Sequence, residues 1–271
     1  MHTIPSTLGL IAGNGKFPLL FAKNARQRKI KVIAVGIKGD TSILLRPFVD
    51  KLFWVGAGEL KKLFEFFKNE HIQKVIMAGQ VNPENLFREN VTPDSEFQRL
   101  FEAMKDRKAD TIFSAIADKL QEEGMELMDS TLLLKDHMAP KGTLTARGPT
   151  ETELGDIEFG RDIAKHMGFL DVGQTVVIKE KAIVAIEAME GTDKTIVRGG
   201  NIARRDAVVI KMAKPKQDSR FDIPVVGPGT IQAMKESHAS CLAIEAGKTL
   251  IIDRNAFVQL ADKAGICVVS S

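Results

Sequence analysis

The sequence predicts an α/β protein with two domains, the first built on a parallel sheet and the second on a mixed sheet. The chain has 271 residues, which is about twice the usual length of one domain. Short apolar runs alternate with helical periodicity through the first half, as in a parallel sheet flanked by helices. The second half is richer in strand-like runs. Proline and glycine interrupt all periodicity between residues 136 and 150, so we predict a domain boundary near residue 145.

The first domain, residues 1–145, is predicted to be Rossmann-like. Its first strand, Leu8–Ala12, ends at the turn Gly13-Asn14-Gly15, and Pro18 suits the first turn of a helix. Apolar residues at helical spacing predict one helix that includes residues 60–67 and another over residues 110–123. The remaining strands are predicted at residues 31–35, 51–55 and 74–78.

The second domain, residues 146–271, opens on the signature of a capping box. Thr150 and Glu153 stand three residues apart, ahead of a helix that is predicted to end at Gly168. Two further helices are predicted near residues 230–236 and 255–264. Strands are predicted at residues 174–179, 182–188, 207–212, 241–245, 250–253 and 266–269.

Composition excludes several classes of protein. Lys and Arg number 38 against 35 Asp and Glu, for a net charge of +3, so the basic excess of a nucleic-acid-binding protein is missing. Cys241 and Cys267 are too few for a zinc cage or a disulfide framework, which favours a cytoplasmic protein. The chain contains no tyrosine, so mechanisms that need a phenol are excluded. We expect neither a signal peptide nor a membrane span, because no apolar run approaches roughly 18 residues.

The turn Gly13-Asn14-Gly15 is the first candidate site. Glycines after a strand let backbone N–H groups at a helix N-terminus approach a phosphate. The dinucleotide fingerprint needs a third glycine where Pro18 stands, and an acid where Gly36 ends the second strand. Three interpretations stay open: a plain turn, a site for a nucleotide or sugar phosphate, and, least favoured by these residues, an NAD site.

Charged residues gather in the second half of the chain. Glu187, Glu190 and Asp193 lie within seven residues. Four cations occur between Lys211 and Arg220, ahead of Asp222. Cations suit phosphate oxygens, and carboxylates suit a hard cation such as Mg²⁺ that bridges phosphates. A solvated loop without a ligand would show the same pattern.

Several blocks of sequence follow one another in a specific order: Gly9–Gly15, Leu170–Gln174, Ala188–Asp193, Lys214–Gln217, Arg220–Gly227 and Ala243–Gly247. Together they resemble the LpxI-type UDP-2,3-diacylglucosamine pyrophosphatases of bacterial lipid A synthesis, over nearly the whole chain. The resemblance implies two α/β domains and a hydrolase that depends on Mg²⁺. Hard oxygen ligands select Mg²⁺ or Mn²⁺, so Mn²⁺ is a further candidate. The implied reaction cuts UDP-2,3-diacylglucosamine into UMP and 2,3-diacylglucosamine 1-phosphate (lipid X).

The resemblance also implies roles for individual residues. Asp222 is the implied catalytic carboxylate and a metal ligand, and Glu190 and Asp193 are the other implied ligands. The implied substrate-binding residues are Gly13, Asn14, Gly15, Gln174, Thr192, Lys214, Gln217 and Arg220. Two positions depart from the family: Asn14 replaces the middle of three glycines, and Ala109-Asp110-Thr111 stands for Gly-Asp-Asp.

A substrate with two acyl chains implies a cytoplasmic protein that works peripherally at the inner-membrane surface, and a homodimer is compatible with the sequence. Two other functions compete with hydrolysis. One is a non-catalytic regulator that binds a nucleotide or nucleotide sugar, which would bind UMP without turnover. The other is a Rossmann oxidoreductase, which Pro18, Gly36 and the absence of tyrosine disfavour.

Overall fold

The chain folds into two compact units. The structure, a computed structural model, describes residues 5–81, 93–106 and 108–271. The first unit comprises the described residues up to Leu134 together with Ser219–Asp222. The second unit comprises Lys135–Asp218 and Ile223–Ser271. A short segment from the second half of the sequence therefore belongs to the first unit.

The first unit is built on a five-stranded parallel sheet in the order β3-β2-β1-β4-β5. The strands are β1 (Thr7–Ala12), β2 (Lys31–Ile37), β3 (Lys51–Val55), β4 (Lys74–Ala78) and β5 (Glu126–Leu127). The helices are α1 (Phe17–Gln27), α2 (Leu60–Asn69), α3 (Ser95–Ala103) and α4 (Ala109–Glu122), with a 3₁₀ helix at Ile43–Phe48. This is the strand order of Rossmann-type sheets, in which the winding direction reverses next to β1.

Hydrophobic periodicity sets the core of the first unit. Leu63, Phe64 and Phe67 repeat on one face of α2 and are buried in the cluster that includes Val75 of β4. Gly9 of β1 has no side chain at a crowded point, where a Cβ would lie 2.8 Å from Cγ2 of Ile72. Glycine there lets the segment after α2 pack directly on the sheet.

The second unit holds a six-stranded mixed sheet in the order β6-β13-β11-β9-β7-β8, and a separate pair of strands, β10 and β12. Strands β9, β11 and β13 run parallel, whereas β6, β7 and β8 run antiparallel to their neighbours. The strands are β6 (Gly142–Thr143), β7 (Thr175–Lys179), β8 (Ala182–Ile186), β9 (Val208–Lys211), β10 (Val225–Val226), β11 (Cys241–Ile244), β12 (Leu250–Ile251) and β13 (Cys267–Ser270). The helices are α5 (Glu151–Phe169), α6 (Thr192–Ala203), α7 (Pro228–Glu236) and α8 (Arg254–Lys263), with a 3₁₀ turn at Lys135–His137.

Helix α5 begins with the predicted capping box. The hydroxyl of Thr150 accepts from the N–H of Glu153 (3.2 Å), and the Glu153 carboxylate accepts from the N–H of Thr150 (2.8 Å). Arg147 holds the same carboxylate through two hydrogen bonds of 2.8 Å, and Ser240 donates to it at 2.6 Å. The buried carboxylate of Glu153 is therefore fully engaged, and it ties the start of α5 to the segment before β11.

Helix α6 packs unusually closely on its neighbours because of two adjacent glycines. A Cβ on Gly199 would lie 2.8 Å from Val177 of β7, and a Cβ on Gly200 would lie 2.1 Å from the side chain of Ser237. Sequence periodicity did not predict this helix, since glycine and β-branched residues are weak helix formers.

The predicted fold class is confirmed, with a parallel sheet in the first unit and a mixed sheet in the second. Residues 250–253 supply only the short strand β12, which pairs with β10 outside the main sheet. The short strands β5, β6 and β10 and the helices α3 and α6 have no counterpart in the prediction.

Candidate functional site

One edge of the second sheet collects the ends of four neighbouring strands. Lys211, Ile244 and Ser270 are the last residues of the parallel strands β9, β11 and β13. Thr175 begins the antiparallel strand β7 and pairs with Lys211. In open α/β sheets, ligands bind outside the carboxyl ends of the parallel strands. This edge is therefore where a site is expected in the second unit.

A buried charge pair lies at this edge and is joined through a hydroxyl group. Nζ of Lys211 donates to Oγ1 of Thr192 at 2.6 Å, and that hydroxyl donates to Oε1 of Glu187 at 2.8 Å. The N–H of Gln174 donates to Oε2 of Glu187 at 3.2 Å. Lys211 and Glu187 are only 6% and 9% exposed. We call Lys211, Thr192 and Glu187 the polar cluster.

The pKa of Glu187 is lowered from its usual value. Burial raises this pKa, but the positive charge of Lys211 and hydrogen bonds from Thr175, Thr192 and Gln174 together outweigh burial. Glu187 is consequently ionised at neutral pH, and it balances the buried ammonium group of Lys211.

Asp193 lies next to the polar cluster in the first turn of α6. Its side chain is exposed, and its Oδ2 atom lies 3.5 Å from the position of a Cβ built on Gly229, in the first turn of α7. Although exposed, the carboxylate is close enough to protein to lose part of its hydration, and this desolvation raises its pKa. Lys211 acts against that increase and Glu187 adds to it.

Asp193 therefore lies in the first turn of α6 and beside the first turn of α7. Helix α6 begins after Gly191, and α7 begins after Gly227, with Pro228 in its first turn. The N–H groups at such ends carry partial positive charge and bind phosphate oxygens. These helix ends make this edge suited to a phosphate group or to a metal ion bound to phosphate.

The predicted metal ligands differ in their surroundings. Oε1 of Glu190 accepts from Arg198 (2.6 Å) and from Thr195 (3.2 Å), and Oε2 accepts from the N–H of Ala188 (3.1 Å). These bonds stabilise the turn before α6 and occupy both carboxylate oxygens. In the described parts of the chain, no three His, Cys, Asp or Glu side chains are gathered closely enough to hold a metal ion.

A magnesium ion would still fit the donor chemistry at Asp193. Mg²⁺ usually takes one or two carboxylates and completes its shell with substrate phosphates and water. The exposed carboxylate of Asp193 meets that requirement, whereas Glu190 would have to give up hydrogen bonds first.

Lys214 and Gln217, both predicted to bind substrate, form a tight turn after β9. The buried Nζ of Lys214 lies 2.5 Å from Oδ1 of Asp171, and its N–H donates to Oε1 of Gln217 at 3.0 Å. Within the described residues, the buried Nε2 of Gln217 has no hydrogen-bond partner. Lys214 therefore anchors the end of α5, and the side-chain amide of Gln217 keeps buried N–H donors that no described residue accepts.

Asp222 and Arg220 lie in the segment Ser219–Asp222, which packs with the first unit. The N–H and hydroxyl groups of Ser130 both donate to the carbonyl of Ser219, at 3.0 and 2.8 Å. The ring of Phe221 packs against Phe113 of α4, with 5.6 Å between centroids. Asp222 is half-buried at the end of this anchored segment.

The glycine turn after β1 uses its own N–H groups within the chain. The N–H of Gly13 donates to Ala78 (2.8 Å) and that of Asn14 to Gln80 (2.6 Å). The N–H of Gly15 donates to the side chain of Asn14 at 2.6 Å. Substrate binding by this turn stays a prediction, and it would have to use the open space beside Gly15, where a Cβ would meet nothing within 4 Å.

Comparison with protein families assigns both halves of the chain. The model of the LpxI N-terminal domain matches residues 7–137, and the model of the LpxI C-terminal domain matches residues 140–269. The chain belongs to the LpxI family. The resemblance predicted from the sequence blocks is thereby confirmed.

A relative with a named activity matches over nearly the same length. It is the UDP-2,3-diacylglucosamine pyrophosphatase LpxI of Caulobacter vibrioides, 30% identical over 275 residues that cover 97% of this chain and 96% of the relative.

Likenesses to solved structures are much weaker. The biotin carboxylase domain of Hydrogenobacter thermophilus 2-oxoglutarate carboxylase is 13% identical, covers 74% of this chain and 42% of that chain, and has a TM-score of 0.28. The biotin carboxylase subunit of a pyruvate carboxylase has a TM-score of 0.26 at 12% identity, over 73% of this chain and 41% of that chain. Scores this low support no argument.

The two departures from the family pattern have local explanations. Asn14 does not take a positive φ, and the positive φ of this turn, 86°, falls on Gly15. Thr111, in the position of a family aspartate, donates to Asp106 at 2.6 Å and so stabilises the start of α4.

Among the helices of the described ranges, none is long and apolar enough to cross a bilayer.

Sequence reasoning missed the partnership of Lys211 with Glu187. Both residues stood in the charged segments, but neither was assigned to the site. The sequence does show that Lys211 and Glu187 each follow an apolar run, which places both residues at the ends of strands. Their meeting depends on strand order, which periodicity does not provide.

Proposed function

We propose that this protein hydrolyses the pyrophosphate bond of UDP-2,3-diacylglucosamine and releases UMP and 2,3-diacylglucosamine 1-phosphate. The observation that carries the proposal is the relative of that name, which aligns with nearly the full length of both chains at 30% identity. The match to both LpxI domain models supports the same assignment.

The edge of the second sheet suits a doubly charged pyrophosphate. The amino ends of α6 and α7 present partial positive charge, while the charge of the buried Lys211 is balanced by Glu187. The ammonium group of Lys211 is bound to Thr192, so the polar cluster orients the turn that carries Asp193. Binding of the pyrophosphate here would need little reorganisation, because the buried charges already balance each other.

Magnesium is part of the proposal, with manganese as its substitute. Hydrolysis requires neutralisation of charge on both phosphates, and a hard divalent ion supplies it when bound. Asp193 is the residue of the second unit that would hold the ion. Asp222 remains our candidate for the catalytic carboxylate, which would accept a proton from the attacking water.

The substrate class sets the expected location. Two acyl chains keep the substrate in a membrane, so we propose a cytoplasmic protein that acts peripherally at the inner-membrane surface. A homodimer stays a prediction, to be tested by light scattering.

The decisive experiment measures release of UMP from the diacylated substrate, with Mg²⁺ and after exhaustive treatment with EDTA. We expect turnover with Mg²⁺ and its loss after EDTA, and Asp193→Asn should lower turnover by roughly 100-fold. Asp206→Asn is a matched control in the same unit, since Asp206 is exposed and has a φ of 57° that asparagine tolerates. Binding of UMP without turnover in the wild-type protein would favour a non-catalytic, nucleotide-binding regulator instead. Full activity after EDTA would show that the reaction needs no metal ion.

A further inference from the structure

We propose that an apolar tip at the end of α5, formed by Phe169, Leu170 and Val172, docks the protein on a bilayer that contains anionic lipids. The proposal rests on the proposed function, because a diacylated substrate lies in a membrane and must be collected there. It names the surface and the lipid charge that the function by itself leaves open.

The apolar tip is exposed although its side chains are large. Phe169 is 64% exposed and Leu170 is 53% exposed, and Val172 follows at 43%. Helix α5 ends at Phe169, so the three side chains project from a helix end. Contiguous exposed apolar groups bordered by polar ones mark sites of interaction with proteins or membranes.

The backbone of the tip is held in a Schellman motif. The N–H of Val172 donates to the carbonyl of Met167 (3.1 Å), and that of Asp171 donates to Gly168 (3.2 Å). Asp171 takes the left-handed position, with a φ of 56°, where glycine is more usual. Its carboxylate is bound to the buried Lys214 at 2.5 Å, which offsets the strain and fixes the turn. The tip is therefore ordered before it meets a surface.

The charges around the tip favour an anionic partner. Nζ of Lys216 lies 5.7 Å from the centroid of the Phe169 ring, and Lys165 is exposed one helical turn before Phe169. The acid within the tip, Asp171, is neutralised by Lys214. Apolar side chains bordered by lysines suit insertion among acyl chains beneath acidic headgroups.

A second exposed aliphatic pair provides a matched control. Ile43 and Leu44, in the 3₁₀ helix of the first unit, are 61% and 66% exposed. The nearby cations Lys23 and Arg26 contact that same helix, through the ring of Phe48 and the carbonyl of Pro47. Replacing this pair removes a similar apolar area, and so tests whether any exposed apolar pair would support binding to the bilayer.

The experiment is co-sedimentation of the full chain with vesicles of phosphatidylcholine that contain about one third phosphatidylglycerol. The double variant Phe169→Ser with Leu170→Ser should bind at least about tenfold more weakly than the wild type. The control Ile43→Ser with Leu44→Ser should stay within about twofold, the scale of an unrelated surface change. The pair Lys165→Gln and Lys216→Gln should lose about tenfold or more on these vesicles and little on pure phosphatidylcholine. Circular dichroism checks that each variant is folded.

Several outcomes would overturn the proposal: no sedimentation of the wild-type protein, wild-type binding by the tip variant, or an equal loss in the control. Conversion of a dimer to a monomer by the tip variant, with vesicle binding kept, would assign the tip to a second copy of the chain. Vesicle binding is measured without substrate, so its failure is distinguishable from failure of UMP release. Turnover in detergent solution that survives the tip variant, together with lost vesicle binding, is the expected combination.

Discussion

Replacing Lys211 by methionine should cost the protein far more stability than replacing a surface lysine. Methionine keeps an unbranched apolar stem and removes the charge. Glu187, at 9% exposure, then stays buried without its cation, although Thr192 and the N–H of Gln174 still donate to it.

The magnitude follows from the burial of both partners. Removal of one partner from a buried pair costs about 3–5 kcal/mol, because the other charge is left uncompensated. The hydrogen bonds that Glu187 keeps place the expected loss for Lys211→Met near the lower limit, at about 3 kcal/mol. Changing Glu187 to glutamine in the same chain removes the stranded charge. The double variant should therefore lose less than the sum of the single losses, by more than about 1 kcal/mol.

The pH dependence has a definite sign. Burial raises the pKa of Glu187, but Lys211 and the hydrogen bonds lower it overall in the folded protein. Its contribution to stability is thus present above the ordinary carboxyl pKa and is lost as the pH falls through the lowered value. The deficit of Lys211→Met should accordingly shrink in acid, where Glu187 is protonated and no charge is stranded.

Urea unfolding followed by circular dichroism at pH 7 measures these losses. Lys179→Met is the control in the same unit, because Lys179 pairs at 3.5 Å with the exposed Glu180, and it should cost under about 1 kcal/mol. Fluorescence of Trp54, the single tryptophan and a residue of β3, reports on the first unit and shows whether the units unfold together. A loss below about 1 kcal/mol for Lys211→Met, or additivity within about 0.5 kcal/mol, would refute the reasoning.

Two further predictions test single carboxylates. Asp222→Ala should lower kcat by roughly 100-fold or more with an unchanged thermal midpoint; a lower midpoint with near-normal kcat would make Asp222 a turn cap. Glu153→Gln should cost about 2 kcal/mol at pH 7, because Arg147 loses its charged partner. Burial raises the pKa of Glu153, but Arg147 and the hydrogen bonds lower it overall, so that deficit should fade in urea unfolding at acid pH. The same deficit at both pH values would contradict this account.

The sequence predicts most of the architecture because hydrophobic periodicity and the residues that begin or end helices and strands are local features. The apolar runs of the first unit appear as β1 to β4 nearly residue for residue, and the capping box at Thr150 and Glu153 forms as expected. Each of these features depends on residues within a few positions of one another. The short strands β5, β6 and β10 were not predicted because two residues carry too little pattern.

The candidate site shows where local reasoning ends. Asp193 could be named from its block of sequence, but its proximity to Gly229 depends on where α6 and α7 pack. Helix α6 is itself specified by tertiary contact. Gly199 and Gly200, which weaken the helix when considered alone, are what let it approach Val177 and Ser237. The residues that make α6 hard to predict are thus the ones that place its amino end beside the polar cluster. A larger residue at either glycine would displace α6 and, with it, the carboxylate that we expect to hold the metal.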